Sequence, residues 1–267
     1  MTHFSDLLKH FFTHKDFLPP AHEIAGTLFT PLHFGFAAGL LAVLVLLGLY
    51  LSRRNERSIR TCFAILWIVL VVWEIGKITW ETCAGQDVWF EWGGILPLYP
   101  CSIFLYAMPL IIWGRGIVRD MGCGYVCSLG LLGGSINFVY PANILSNYSC
   151  ISFAGFHTFF FHGTMVFTAL VLLRSGMHSY RHIDRSWKLL VPAVPALGIS
   201  VIANLVNFSS IHSDYMFFRL DSFIFAPLGA ALPEWGSVLM VYGCYLLIHA
   251  LPYLPSYLSH RLHRAAV

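Results

Sequence analysis

Residues 36–51 read FAAGLLAVLVLLGLYL, a run that holds no charged side chain. About 20 apolar residues in succession are enough to cross the hydrocarbon core of a bilayer as a helix. The whole chain shares this character, because 57% of its 267 residues are hydrophobic and only 11% are charged. Soluble domains carry about a quarter charged residues. The sequence therefore predicts an integral membrane protein of the all-α class.

Apolar segments of spanning length recur along the chain and predict a polytopic bundle of about seven transmembrane helices. They cover residues 29–51, 61–80, 95–114, 121–140, 151–173, 188–207 and 233–252. We expect 29–252 to form a single transmembrane helical domain, flanked by an N-terminal outer segment (1–28) and a basic inner tail (253–267). The region 208–232 is polar at its start and rich in Gly and Pro at its end. We expect it to fold back into the protein as a re-entrant outer segment.

The distribution of basic residues predicts the orientation of these helices. The loop after the first span, SRRNERSIR at 52–60, carries four arginines, and alternate loops after it hold most of the remaining Lys and Arg. Cytoplasmic loops of membrane proteins carry an excess of these residues. The N-terminus is therefore expected outside and the C-terminus in the cytoplasm. The long apolar segments and basic inner loops suggest a bacterial plasma membrane.

Polar side chains concentrate in the outer halves of the predicted helices and in the outer loop. Ionisable groups at membrane depth are costly and mark functional sites. The residues concerned are Glu74, Lys77, Asn137, His157, His162, Asn204, Asn207, His212, Asp214, Arg219 and Asp221. The inner halves are almost purely apolar. This asymmetry predicts one hydrated polar cavity that opens toward the outer leaflet.

Structural roles compete with functional ones for several of these residues. Glu74 and Lys77 are three residues apart on one helix and could neutralise one another. Asn204 and Asn207 could form hydrogen bonds between helices. His157, which has Phe neighbours, could be an interfacial histidine. The glycines and cysteines of the fourth span predict a close-packing face and not a metal site.

Cys101 differs from the other six cysteines because it directly follows Pro100, in LPLYPCSI at 96–103. Proline favours the first turn of a helix, so Cys101 is expected near a helix N-terminus. Free N–H groups and the helix dipole favour the nucleophilic thiolate there. His162, in FFFHG at 159–163, is the histidine expected to take the proton. Gly163 beside it permits close approach of a neighbouring helix.

Four motifs, LPLYPCSI, FFFHG, NLVNFSSIHSDYMFF (204–218) and PLGAALPEW (227–235), occur in the order and spacing of a known family. Over about residues 70–250 the chain resembles the YwaF-like bacterial integral membrane proteins, relatives of the animal transmembrane protein 164 family. The resemblance implies a phospholipid acyltransferase whose motif cysteine, here Cys101, carries the acyl chain. The motif histidine falls on His162. Asp214 stands where the family motif has Asn, which leaves the role of that position open.

We expect a membrane transacylase that moves a fatty acyl chain between a phospholipid and a lysophospholipid through a Cys101 thioester, with His162 as base. The expected substrate contacts are Glu74, His157, Asn204, Asn207, Asp214 and Arg219. No metal, organic cofactor or nucleic-acid partner is expected, and the oligomeric state is left open. The alternatives are a Cys–His lipid hydrolase and a non-enzymatic seven-helix transporter or small-molecule binder.

Overall fold

The computed structural model describes residues 10–85, 96–181, 185–209, 214–220 and 226–265, and every regular element in these ranges is helical. The α-helices are α1 (Pro31–Leu51), α2 (Glu56–Ala84), α3 (Ile103–Trp113), α4 (Ile117–Tyr125), α5 (Leu131–Val139), α6 (Ala142–Leu145), α7 (Phe153–Arg174), α8 (Val194–Ser209), α9 (Ala226–Ala231), α10 (Glu234–Ala250) and α11 (Leu254–Ala265). A π-helical segment, Val126–Gly130, joins α4 to α5. Short 3-10 turns lie at Lys15–Phe17, Ala21–Glu23, Ser186–Leu189, Val191–Ala193, Tyr215–Phe217 and Leu251–Tyr253.

Within the described ranges, 6 helical segments are long and apolar enough to cross a membrane. They are Pro31–Leu51, Glu56–Ala84, Ile117–Leu145, Phe153–Arg174, Ser186–Ser209 and Glu234–Leu262. The predicted all-α polytopic membrane fold is confirmed. The predicted span 95–114 is different, because its helix α3 has only 11 residues. At 1.5 Å per residue α3 is about 17 Å long, roughly half of a bilayer core.

The short length of α3 follows from the two prolines in front of it. Pro97 and Pro100 lack backbone donors and disfavour helical conformation in the residues before them. Residues 96–102 therefore form a turn, and the helix begins at Ile103 with Ser102 as its N-cap.

Two hydrogen bonds fix α3 antiparallel to α2. Arg60 Nη1 donates to the Ile112 carbonyl at 3.0 Å, and Trp67 Nε1 donates to the Leu105 carbonyl at 2.8 Å. Residues further toward the C-terminal end of α2 therefore lie beside residues nearer the N-terminal end of α3. The next turns of α2, which carry Glu74 and Lys77, consequently lie beside the turn 96–102.

Loops that were predicted to share a membrane side meet at one end of the bundle. The Glu56 carboxylate, which follows the first basic loop, pairs with Arg60 at 2.7 Å and with Arg119 beyond the third predicted span at 2.9 Å. At the other end, the N-terminal segment binds the end of α6. Leu28 N donates to the Leu145 carbonyl at 3.0 Å.

The glycines of the fourth predicted span form the close-packing face that the sequence indicates. A Cβ added to Gly122 would lie 2.7 Å from the Ala107 carbonyl oxygen of α3. One added to Gly134 would lie 2.8 Å from the His162 carbonyl oxygen of α7. Backbones approach this closely only where no side chain intervenes, so α4 and α5 pack directly on α3 and α7.

Residues 214–220 have the irregular backbone expected for the region 208–232. Tyr215, Met216, Phe218 and Leu220 are buried, so protein covers this backbone. Such covering is what irregular structure at membrane depth requires. His212 and Asp221, two polar residues of the same predicted outer region, lie outside the described residues.

Candidate functional site

Cys101 lies at the end of the turn 96–102, two residues before α3 begins. Its thiol is free and half-buried, and its backbone carbonyl accepts a hydrogen bond from Phe104 N at 3.0 Å. The Tyr125 hydroxyl of α4 donates to the carbonyl of Pro100 just before it. Cys101 is thus near a helix N-terminus, as the prolines predict, and its backbone is held on both sides.

The surroundings of the Cys101 sulfur both favour and oppose a negative charge on it. Burial has the largest effect and disfavours a charge, whereas the Ser102 hydroxyl and amide and the Lys77 ammonium favour a negative charge on the sulfur. The Glu74 carboxylate also opposes a charge there. A largely desolvated thiol under the influence of a carboxylate does not ionise unaided. Reaction at this sulfur therefore requires a base that accepts its proton.

Glu74 of α2 and His157 of α7 form a buried pair. Glu74 Oε2 lies 3.0 Å from His157 Nε2, and the two side chains are only 10% and 6% exposed. The imidazole nitrogen is not aimed at the oxygen, so the contact has the distance of an ion pair without hydrogen-bond geometry. His157 is therefore buried between helices and is not exposed at an interface.

Lys77 forms an ion pair with another acidic residue of its own helix. Its Nζ lies 3.5 Å from Glu81 Oε2, one helical turn further along α2. Glu74 and Lys77 still act on each other electrostatically. The alternative of a simple Glu74–Lys77 pair is thus not the main contact of either residue, since Lys77 lies nearest Glu81 and Glu74 lies nearest His157.

His162 of α7 has one nitrogen committed to the backbone. Its Nδ1 lies 2.8 Å from the Thr158 carbonyl oxygen. A carbonyl can only accept, so Nδ1 carries the hydrogen and Nε2 keeps a lone pair that can take a proton. The carboxylate of Glu74 and the ammonium of Lys77 are among the charged neighbours of this ring.

The charges of the same two α2 residues, Glu74 and Lys77, therefore act on both Cys101 and His162. Phe104 of α3 and Phe161 of α7, each close in sequence to one of the two residues, also meet edge to face, with ring centroids 6.0 Å apart. In the described part of the chain no hydrogen bond joins Cys101 to His162. Glu74 and His157 are in contact, and the charge of Glu74 acts on both Cys101 and His162, so we refer to Cys101, Glu74, His157 and His162 as the buried polar cluster.

The other predicted site residues lie in a second group on α8 and the loop 214–220. Asn204 Nδ2 donates to the Tyr242 hydroxyl of α10 at 3.1 Å. Arg219 Nη2 donates to the Asn207 carbonyl at 2.8 Å, and Arg219 N donates to Asp214 Oδ1 at 2.6 Å. Asn204 thus bonds between helices, as the structural alternative predicts.

This second group borders a groove between α8 and α10. The groove has a volume of about 580 Å³ and is lined by Asn204, Asn207, Phe208, Phe218, Arg219, Glu234, Trp235, Val238 and Leu239. The single polar cavity that the sequence predicts is thus two neighbouring features. The loop 214–220 lies between them, since Phe218 and Arg219 line the groove and the Tyr215 ring packs at a tilt against Tyr99 of the Cys101 turn, with centroids 5.1 Å apart.

Sequence reasoning missed the tyrosines that hold the backbone around the site. Tyr125 binds the Pro100 carbonyl, and the Tyr245 hydroxyl of α10 donates to the Met216 carbonyl at 2.8 Å. Tyrosines in apolar segments are usually taken for interfacial residues. Nothing in the sequence links either tyrosine to a carbonyl on another segment.

In the described ranges, no three His, Cys, Asp or Glu side chains are grouped as metal ligands would be.

A family model described as the TMEM164 family matches residues 28–258. The matched range includes both the buried polar cluster and the groove, and it agrees with the family resemblance seen in the motifs. The chain matches no curated protein and no solved structure.

Proposed function

The chain belongs to the TMEM164 family, and from that premise we propose that it is a membrane phospholipid transacylase with Cys101 as its acyl carrier. The observation that carries the proposal is the setting of this cysteine. It is the motif cysteine, it lies at the start of a half-length helix, and it shares its charged neighbours with His162. Acyl transfer through a thioester needs a nucleophile and a base, and here both are under the influence of the charges of Glu74 and Lys77.

In the first half-reaction His162 Nε2 takes the proton of the Cys101 thiol, and the sulfur attacks the ester carbonyl carbon of a donor phospholipid. The acyl C–O bond then breaks. The leaving lysophospholipid oxygen receives the proton from His162, and the acyl chain remains on Cys101 as a thioester. Lys77 and Ser102 favour negative charge at this sulfur as it forms.

In the second half-reaction His162 takes the proton of a lysophospholipid hydroxyl, whose oxygen attacks the thioester carbonyl. The C–S bond breaks, the proton returns to sulfur, and the product is a phospholipid with the transferred chain. The resting protein need not have a hydrogen bond between Cys101 and His162, because catalytic contacts often tighten only with substrate bound.

The groove supports a place for the phospholipid headgroup in this proposal. Arg219 offers the guanidinium group that matches a phosphate best. Asn204 and Asp214 lie near it, and apolar side chains such as Phe208 continue the groove toward the lipid-facing surface. The loop 214–220 links the groove to the turn that carries Cys101, since Arg219 lines the groove and Tyr215 packs against Tyr99 of that turn.

The test uses purified protein in liposomes, a phospholipid with a labelled acyl chain, and an unlabelled lysophospholipid. Wild type is compared with Cys101→Ala and with Cys127→Ala, which removes a buried thiol outside the cluster. We expect labelled acceptor from wild type and from Cys127→Ala, and none from Cys101→Ala.

The other outcomes discriminate between functions. Label released only as free fatty acid would make the protein a Cys–His hydrolase. Equal transfer by wild type and Cys101→Ala would remove the cysteine from the mechanism. No turnover of a broad lipid panel by wild type would favour the transporter or binder.

A further inference from the structure

Three residues of the loop 214–220 have a backbone conformation that side-chain-bearing residues rarely adopt. Met216, Phe217 and Leu220 have φ angles of 60°, 56° and 55°. Left-handed backbone is unfavourable for such residues and persists only where the surroundings hold it. Strain of this kind clusters at functional sites. The loop therefore needs restraints, and these can be identified.

Buried side chains on two different helices supply the restraints. Both ends of the Asn207 amide bind one residue of the loop, with Nδ2 donating to the Tyr215 carbonyl and Tyr215 N donating to Oδ1, each at 2.9 Å. From α10, the Tyr245 hydroxyl donates to the carbonyl of Met216 at 2.8 Å. The two peptide groups that flank the strained residue Met216 are thus each held by a buried side chain.

The restrained loop contacts the turn that carries Cys101. Leu96 N, at the start of that turn, donates to the Tyr215 hydroxyl at 2.8 Å. The Tyr99 ring packs between Tyr215 and Phe217, with centroid distances of 5.1 and 5.7 Å. The strained loop therefore forms one wall of the Cys101 turn.

We propose that Tyr245 and Asn207 are positioning residues for Cys101, which they act on through the loop 214–220. The inference deepens the proposed function and rests on it, since it concerns the same sulfur. Misplacing a reacting atom by about 1 Å costs about 100-fold in rate. A rigid wall beside the nucleophile would keep the sulfur in its reactive position. It also gives the Asn207 side chain a backbone-holding role in place of the substrate contact expected from the sequence.

The test measures the alkylation rate of Cys101 by iodoacetamide in the full-length protein in detergent, read out by peptide mass spectrometry. Tyr245→Phe removes the bond to Met216. Tyr180→Phe is the matched control, because the Tyr180 hydroxyl donates to the Cys127 carbonyl at 2.6 Å, away from the loop. The alkylation of buried Cys123 in the same samples reports general loosening.

We expect Tyr245→Phe to raise the Cys101 rate at least about threefold, because the wall beside the turn loosens and the sulfur becomes more accessible. Tyr180→Phe should leave the rate near the wild-type value, and Cys123 should label no faster in either variant. Asn207→Ala provides a second measurement and should also raise the Cys101 rate.

Equal Cys101 rates in Tyr245→Phe and Tyr180→Phe, or a parallel rise at Cys123, would overturn the proposal. Alkylation does not depend on lipid turnover. A selective rise at Cys101 in a protein without transfer activity would therefore keep the positioning role and refute the transacylase.

Discussion

A backbone group affects the chemistry of both Cys101 and His162 before any substrate binds. The turn in front of α3 places the thiol beside the Ser102 amide, and the Thr158 carbonyl fixes which nitrogen of His162 can accept a proton. Neither effect needs a direct bond between the two side chains. The chemistry at this scale thus depends on local backbone geometry as much as on residue type.

His162→Asn should abolish most of the acylation of Cys101 while the protein stays folded. The Asn amide can still donate to the Thr158 carbonyl, but it offers no basic lone pair. General-base catalysis contributes about 10²–10⁴-fold, and a loss of that order is expected in single-turnover acylation. Rates are measured with a labelled donor phospholipid and no acceptor.

His33→Asn is the matched control for that prediction. His33 is also buried, but both its nitrogens are satisfied, by Phe29 N at 3.3 Å and by the Phe138 carbonyl at 3.2 Å. Its loss should lower the melting temperature and leave acylation per folded molecule intact. Equal losses of acylation in the two variants would exclude a specific role for His162 as base.

Glu74 and His157 should show a measurable coupling energy. Neighbours in one buried charged network deviate from additivity by about 0.5–3 kcal/mol. A double-mutant cycle with Glu74→Gln and His157→Gln, measured by the free energy of unfolding in detergent, should give a value in that range. Additive single-variant effects would show that the 3.0 Å contact contributes nothing to stability.

Local sequence rules predicted the place of Cys101 but not the partner of Glu74. Pro100 signals a helix start within a few residues, so the turn before α3 could be foreseen. For Glu74 the same rules point to Lys77 on its own helix, whereas the observed partner lies 83 positions along the chain on α7. Sequence spacing carries no information about which faces of distant helices meet.

At the scale of elements, the half-length helix α3 and the glycine face of α4 and α5 shape the site. Hydropathy predicts a full span at 95–114, because the turn 96–102 is as apolar as a helix would be. The prolines signal that the helix starts late, but not that the preceding turn is covered by the loop 214–220. That loop is held by long-range contacts, which is why its form could not be read from its own residues.

Gly134→Ala should be destabilising because its Cβ would lie 2.8 Å from the His162 carbonyl oxygen. Overpacking of this kind costs about 1–3 kcal/mol, and separation of α5 from α7 should also slow acylation. Gly133→Ala is the matched control, since no atom lies within 4 Å of its added Cβ. We expect it to be neutral or to stabilise the helix by up to about 1 kcal/mol.

The two glycine variants are compared by their melting temperatures in one detergent and by their acylation rates. A Gly134→Ala protein as stable and as active as Gly133→Ala would contradict the close packing of α5 on α7.

For the whole molecule, the hydropathy pattern predicts the fold class well because the bilayer restricts spanning structure to helices and closed barrels. In the described ranges, the approximate limits of six long helices follow from that restriction, whereas the seventh predicted span, 95–114, contains only the short helix α3. The two-part arrangement of polar residues does not, since it depends on how the helices pack around the loop 214–220. Hydropathy places Glu74 and Asn207 at similar depth without indicating that they face different features.

The orientation predicted from the basic loops can be checked directly. In bacterial cells a green fluorescent protein fused after Val267 should fluoresce, because the C-terminus is expected in the cytoplasm. Alkaline phosphatase fused at the same place should be inactive, since it folds only outside. An active phosphatase and a dark fluorescent fusion would invert the orientation and put the buried polar cluster near the inner leaflet.

The most direct measurement is the mass of Cys101-containing peptides after the protein is incubated with a donor phospholipid and no acceptor. The proposed mechanism predicts an acyl adduct on Cys101 that hydroxylamine removes and that a lysophospholipid discharges with formation of new phospholipid. Acyl transfer that proceeds while Cys101 remains unmodified, or an adduct on another residue that is equally competent, would contradict the thioester mechanism.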